Sequence, residues 1–370
     1  QRASTWVSGA TCPGPRDSAA PRPSSVQCFS RSTMRRASGA FPRFLRHLPD
    51  RPSLVAYLGC LENGQDFRGL PSGGTGQGVG TFGGSEDHAA IMTCREGKLL
   101  VANFFPTLHF ESEVSLSDDL VFVVGSSGHR AEKALDPSTL ARYNAAALQA
   151  REIARLLGCA SLAEALHCFG SADRAAQVLK EALTDRRRER QLGGGHQSGA
   201  VWGLGGCHGD EGRAGEVPEQ AESAAGRLPL VESVNSELVP LLRRLKQFEF
   251  ETERVVPGLA AALSPPPDTP SSRLAELRSL SSASHEAAAL ALGNIVDATR
   301  WLEMRAAALG SLGSSAFGAG FGGSVWAVVP AFEALSFERR WGADYREAFP
   351  EFASGSYFFA MRPGPGAGRI

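Results

Sequence analysis

Hydrophobic positions recur at helical spacing over much of this chain. Leu140, Tyr143, Ala147, Ala150, Ala154 and Leu157 follow Asp136-Pro137, a good helix start, and run to Gly158, a good stop. Ser161 followed by Glu164 reads as a capping box opening a second helix, and Ser171 is placed to cap a third. Leu238, Leu241, Leu245, Phe248, Val255 and Leu259 mark a long amphipathic helix stopped or kinked near Pro257. Pro265-Pro266-Pro267 then forces a break. A further helical region carries Leu274, Leu277 and Leu280 and continues through Ala287–Leu292 toward Trp301. Strands are predicted at Lys98–Phe105, Leu120–Gly125, Val325–Val329 and Tyr357–Met361, where β-branched and aromatic residues lie between turn formers. Strands and helices do not alternate regularly, so the pattern is α+β and neither a Rossmann sheet nor a TIM barrel.

Two stretches lack this periodicity. The first fifty or so residues are rich in Pro, Ser and Arg, with Asp17 and Asp50 their only acids, and are expected to be poorly ordered. Their Arg- and Ser-rich character is also that of a transit peptide, without a clear amphipathic helix, so a plastid location is the alternative to the cytoplasm. From about Arg187 to Gly226, glycine clusters with few aliphatics read as a surface insertion or linker.

Composition narrows the partners. The chain has 370 residues, 42% hydrophobic, enough for a substantial core and two domains. Lys plus Arg number 38 against 39 Asp plus Glu, which argues against a generally basic surface for nucleic acid or anionic membrane. The longest apolar runs, Leu120–Val124 and Val325–Pro330, are far too short to span a bilayer. The seven cysteines never form a C-x-x-C pair, so a reducing compartment is favoured and no zinc site is expected.

Candidate chemistry sits in two glycine-dense loops. Gly78, Gly80 and Gly83 fit G-x-G-x-x-G, as do Gly318, Gly320 and Gly323. A dinucleotide fold needs a strand entering such a loop and a helix leaving it. Here coil precedes the first loop and a strand follows the second, and no Walker-type G-x-x-x-x-G-K-[ST] exists. Glycine backbone can still approach an anion closely, and the first loop ends in a carboxylate, Asp87. Asp87 reads either as a helix N-terminal cap or as a proton acceptor. His88, with no partner at ligand spacing, reads as a solvated or core-edge histidine rather than a metal ligand.

Order and contents together are more specific. The run Gly80-Thr81-Phe82-Gly83-Gly84-Ser85-Glu86-Asp87-His88, then Leu120–Ser127, and later Phe317-Gly318-Ala319-Gly320-Phe321-Gly322-Gly323-Ser324-Val325, resembles the galactokinase branch of the GHMP small-molecule kinases. Glu249–Val256, Ser284-His285 and the final strand Ser356–Met361 add to the likeness, which covers about Ser53 to Met361 outside the glycine-rich insertion.

The resemblance implies a two-domain GHMP fold with the substrate cleft between domains. Residues 1–53 would be a poorly ordered or mis-assembled segment, 54–118 the remainder of an N-terminal domain, and 119–362 a C-terminal domain interrupted at 187–226. It implies ATP and Mg²⁺ as partners and phosphorylation of a monosaccharide at its anomeric hydroxyl. Galactose leads, with arabinose, galacturonic acid and N-acetylgalactosamine as alternatives. Asp87 would be the catalytic carboxylate, Gly84 would lie against the sugar, and Gly318, Gly320, Gly322 and Gly323 would shape the floor under the phosphates. The family's two upstream motifs, a sugar-holding Arg/acid/His run and a Gly/Ser-rich nucleotide loop, have no counterpart in Gln1–Arg51. An incomplete or mis-assembled amino terminus, a divergent enzyme and a non-catalytic sugar- and nucleotide-binding relative are all open. The composition shift near Ser53 favours the first.

Overall fold

The computed structural model describes residues 46–62, 66–70, 82, 85–103, 109–129, 137–191, 234–264, 271–318 and 320–367. Its centre is a four-stranded antiparallel sheet in the order β4-β5-β3-β6, built from β3 (Leu120–Ser126), β4 (Gly313–Ala316), β5 (Ser324–Pro330) and β6 (Tyr357–Met361). The strand β3 reads Leu-Val-Phe-Val-Val without polar alternation because both of its faces are covered. On one face Val121, Val123, Ala327 and Val329 meet Leu302 of α9 (Asp297–Ala308) and Trp341 and Tyr345 of α10 (Ala334–Ala348). Burial of a large aromatic such as Trp341 stabilises the fold by roughly 1.5–3 kcal/mol. On the other face Phe122, Trp326 and Val328 pack with α7 (Val256–Leu263) and α8 (Ser271–Ala291). That same cluster takes in Leu99, Val101 and Val114 of a two-stranded sheet, β1 (Lys98–Asn103) and β2 (His109–Ser115), so the two sheets share one core.

A helical layer completes the described architecture. The helices α3 (Pro137–Leu156), α4 (Leu162–Phe169), α5 (Ala172–Gln191) and α6 (Val234–Phe250) bury Ile153, Leu162, Leu179 and Leu245 against one another. The expected capping box is present at α4. Ser161 Oγ accepts from Glu164 N at 3.1 Å, while the Glu164 carboxylate reaches one residue further back than the simple box, to Ala160 N at 2.6 Å. Ser171 Oγ likewise accepts from Arg174 N. The helices α1 (Arg51–Glu62) and α2 (Glu86–Thr93) pack on β1 through Val55, Ala89, Ala90 and Leu100.

Several sequence expectations change. The long helix does not stop at Pro257. A π-helical turn, Glu251–Val255, joins α6 to α7 without a break, and Pro257 follows it as the second residue of α7. The region from Leu274 to Trp301 is two helices, not one, interrupted after Ala291 at a turn where Gly293 has φ 60°. The strands β2 and β4 were not expected: β4 is Gly-Ser-Ser-Ala, and its place is set by pairing with β5 and by Ser281 Oγ accepting from Ser314 N at 3.1 Å. The described part of the first predicted strand ends at Asn103. The helix α5 runs to Gln191, past the expected start of the insertion near Arg187, and α1 begins at Arg51, just ahead of the expected boundary at 53. The first glycine run, Gly78 to Gly84 apart from Phe82, and the glycine clusters of the insertion lie outside the described residues.

Candidate active site

The second glycine stretch is the tip of the β4–β5 hairpin. Phe317 N donates to Ser324 O at 3.0 Å and closes its base. Gly318, Gly320, Phe321, Gly322 and Gly323 all have positive φ. At Gly320 (φ 74°) glycine is required twice over, since a Cβ there would stand 2.4 Å from Asn294 O. Phe321, at φ 62° and 6% exposed, is the non-glycine residue held in the left-handed region of this tip. Its N–H donates to Asn294 O at 2.6 Å, so the turn between α8 and α9 holds the hairpin in its strained shape.

The exit of the hairpin is tied to the end of β3. Ser127 donates to Gly323 O through both its N–H (2.9 Å) and its Oγ (2.7 Å), and Gly323 N donates to His129 O. Tyr345 Oη donates to Ser127 O at 2.7 Å from within the core. The amides of Phe321 and Gly323 are thus spent inside the protein, and any approach to an anion falls to the rest of the tip.

Asp87 is the second residue of α2 and is exposed. The first helical turn carries Glu86 and Asp87, where the helix dipole favours carboxylates. Ser85, not Asp87, occupies the N-cap position. The helix is set tightly on α1: a Cβ at Gly59 would stand 2.9 Å from Ser85 Cβ. The next residue, His88, is 4% exposed with Nε2 3.1 Å from Glu62 Oε2, so it is a core histidine rather than a solvated one. The chain just ahead of Asp87 is pinned to α3 where Phe82 N donates to Asn144 Oδ1 at 2.8 Å and Arg151 stacks over the Phe82 ring.

Tyr143, the neighbour of Asn144, joins the two candidate parts. Its ring lies 6.1 Å from that of Phe321, and Arg142 covers Phe321 at 5.3 Å. Burial, followed by the charges of Glu62, Asp87 and Glu86, pushes the Tyr143 phenol up to about 12. It is therefore a neutral hydrogen-bond donor at physiological pH, set between the carboxylates of α1 and α2 and the glycine hairpin. Its helical spacing marked it as core, and nothing in its local sequence distinguishes it from the other members of that stripe.

In structural comparison, a galactokinase from Lactococcus lactis, crystallised in complex with galactose, superposes with a TM-score of 0.51 at 19% identity, covering 87% of this chain and 61% of that one. The fold is that of the GHMP kinases. A mevalonate kinase from L. major in complex with R-mevalonate matches at a TM-score of 0.34 and 12% identity, over 79% of this chain and 55% of its own, too distant to carry an argument. No family model and no curated sequence matches the chain. The chain spans about three fifths of the galactokinase. Among the described residues no helix is long and apolar enough to cross a membrane, and no group of three His, Cys, Asp or Glu stands ready to hold a metal ion.

Within this GHMP fold, the Ser-His pair serves the hairpin from α8. His285 Nδ1 accepts from Ala316 N at 3.2 Å, bracing the end of β4, and Ser284 Oγ donates to Glu251 Oε1 at 2.7 Å. His285 is 4% exposed, and burial, with Arg300 nearby, pulls it down to about 4 from 6.5. A lowered histidine pKa means that the unfolded chain takes up a proton which the fold refuses. Stability is therefore lost as pH falls from about 6.5 to about 4, by roughly 2–3 kcal/mol for this group. His285→Gln keeps an acceptor for Ala316 N without titrating. Denaturant midpoints at pH 7 and pH 4.5 are expected to differ less in the variant than in the parent, because the raised carboxyls of Glu251 and Glu303 act oppositely but equally in both. Equal differences would exclude His285 as the sensor.

Proposed function

We propose that this protein is an ATP-dependent sugar kinase that phosphorylates a monosaccharide at its anomeric hydroxyl, with galactose the first candidate. The observation that carries the reading is that Tyr143 lies against Phe321 of the glycine hairpin and within the field of the acids Glu62, Asp87 and Glu86. Asp87 is exposed, as a group that must meet substrate has to be. In the proposed step the sugar hydroxyl oxygen attacks the γ-phosphorus, its proton passes to the Asp87 carboxylate and ADP leaves. Tyr143 keeps its proton and so can hydrogen-bond a sugar oxygen, while Gly318, Gly320 and Gly322 offer backbone without side chains to the phosphates. Gly84, ahead of Asp87, is proposed to lie against the sugar.

GHMP kinases in general use ATP with Mg²⁺. Mg²⁺ supplies neutralisation of phosphate charge and usually asks the protein for only one or two carboxylates. Glu86 in the first turn of α2 would offer one such hard oxygen, leaving Asp87 for the proton.

A second reading is a sugar- and nucleotide-binding regulator of the same fold without turnover. A coupled ADP-release assay on the full-length protein with galactose, arabinose, galacturonic acid and N-acetylgalactosamine separates the two. Turnover on one of them is expected, galactose first. Measurable sugar or ATP binding without turnover on any would remove the enzyme reading and leave the regulator.

A further inference from the structure

A hollow of about 170 Å³ lies beside the hairpin between α6, the π turn and α8. It touches the hairpin at Phe317 and Gly318, and neither Asp87, Tyr143 nor Phe321 lines it. It adjoins the candidate active site at Gly318, and Asn294 lines it and also holds Phe321. Much of its wall is apolar: Phe248, Val255, Leu259, Ala288, Leu292 and Ile295. An engineered cavity of about 150 Å³ accommodates benzene, so there is room here for a molecule of roughly six to nine heavy atoms.

Two charged groups stand in this apolar wall, and neither has an ionic partner. Arg244 donates through Nη1 to Gln247 Oε1 at 2.6 Å and through Nε to Ala146 O at 3.4 Å, both neutral acceptors. Glu251 accepts from Ser284 Oγ. Among the described residues no ion pair joins Arg244 to Glu251 or either of them to another group. Burial pulls Arg244 down to about 10 and pushes Glu251 up; neutral Gln247, which accepts from Arg244 and hydrogen-bonds Glu251, bridges the two, and the Arg244 guanidinium also lies over the Phe248 ring at 5.7 Å. Both are half-buried, and a purely structural role for two opposite charges here would be served better by a direct pair or by apolar side chains. Glu251 opens the π turn seven residues after Arg244, two helical turns on, so both fall on the face that lines the hollow.

One cationic and one anionic group, held apart in an apolar hollow, complement a ligand that carries both signs. We propose that the hollow binds a small zwitterionic amino acid with a branched apolar side chain, its carboxylate toward Arg244, its ammonium toward Glu251 and its side chain against Leu259 and Ile295. The ligand would supply the ionic partner each group lacks, and its apolar end would exclude water from the walls.

The test is titration calorimetry on the full-length protein with L-leucine, with isovalerate, which lacks the ammonium, and with isoamylamine, which lacks the carboxylate. L-leucine is expected to bind, and each single-charge analogue to bind at least about tenfold more weakly. Glu251→Gln should weaken L-leucine by a similar factor while leaving isovalerate unchanged or tighter. Ala288→Leu, which fills the hollow, should abolish binding without lowering the melting temperature. No heat with millimolar L-leucine overturns the proposal. So does isovalerate binding as tightly as L-leucine, or undiminished L-leucine binding to Ala288→Leu. None of these readings depends on kinase turnover.

Discussion

Asp87→Asn is expected to lower the rate of sugar phosphorylation by about 10³-fold, within the 10²–10⁴ range typical of a positioned general base. The substitution keeps size and removes only the charge and the ability to accept a proton. Asp87 is exposed at the second position of α2, so little packing is disturbed. The neighbouring acids cannot replace it easily. Consecutive helical residues point in different directions, and Glu62 lies 3.1 Å from the buried His88. Nucleotide affinity should be largely intact, giving a fall in kcat and kcat/KM together, the mark of an interaction made in the transition state. Steady-state kinetics with ATP and the preferred sugar decide the matter. A loss smaller than tenfold would end the assignment of Asp87 as proton acceptor.

Gly320→Ala carries the largest expected effect on stability. The left-handed conformation at φ 74° costs a residue with Cβ roughly 1–2 kcal/mol. The added carbon would also stand 2.4 Å from Asn294 O and 2.8 Å from Asn294 Nδ2, so the turn that anchors Phe321 must move. A total of about 3–4 kcal/mol is expected, in the range reserved for strain at special backbone positions. Gly318→Ala is the control: its φ is also positive, at 52°, but a Cβ there meets nothing within 4 Å, so only the conformational part, about 1 kcal/mol, should be lost. Chemical denaturation of the two variants gives the comparison directly. Equal losses would show that the Asn294 clamp contributes little and that the hairpin holds its shape by itself.

Much of this architecture could be read along the chain, for identifiable reasons. The strands β3, β5 and β6 were legible because β-branched and aromatic runs lie between turn formers, and the starts of α4 and α5 because a serine side chain satisfies an orphan amide within three residues. The hairpin and Asp87 stood out because glycine is costly anywhere its freedom is not used. The break after Ala291 was legible in principle, since Gly293-Asn294 is a good helix terminus, but the apolar period on either side masked it.

The sequence by itself determined the periodic elements, their caps and the two chemically unusual loops, because each depends on groups within a few residues of one another. Only the tertiary structure decided that Gly-Ser-Ser-Ala becomes a strand, since its partners are Ser281 and β5 rather than its own propensity. It alone decided that the Gly323 amide is bonded inward to His129, and that Tyr143 stands between carboxylates of α1 and α2 and a hairpin about 180 residues away in sequence. Such contacts are fixed by how whole faces pack, and no local period encodes which distant group will meet a given side chain.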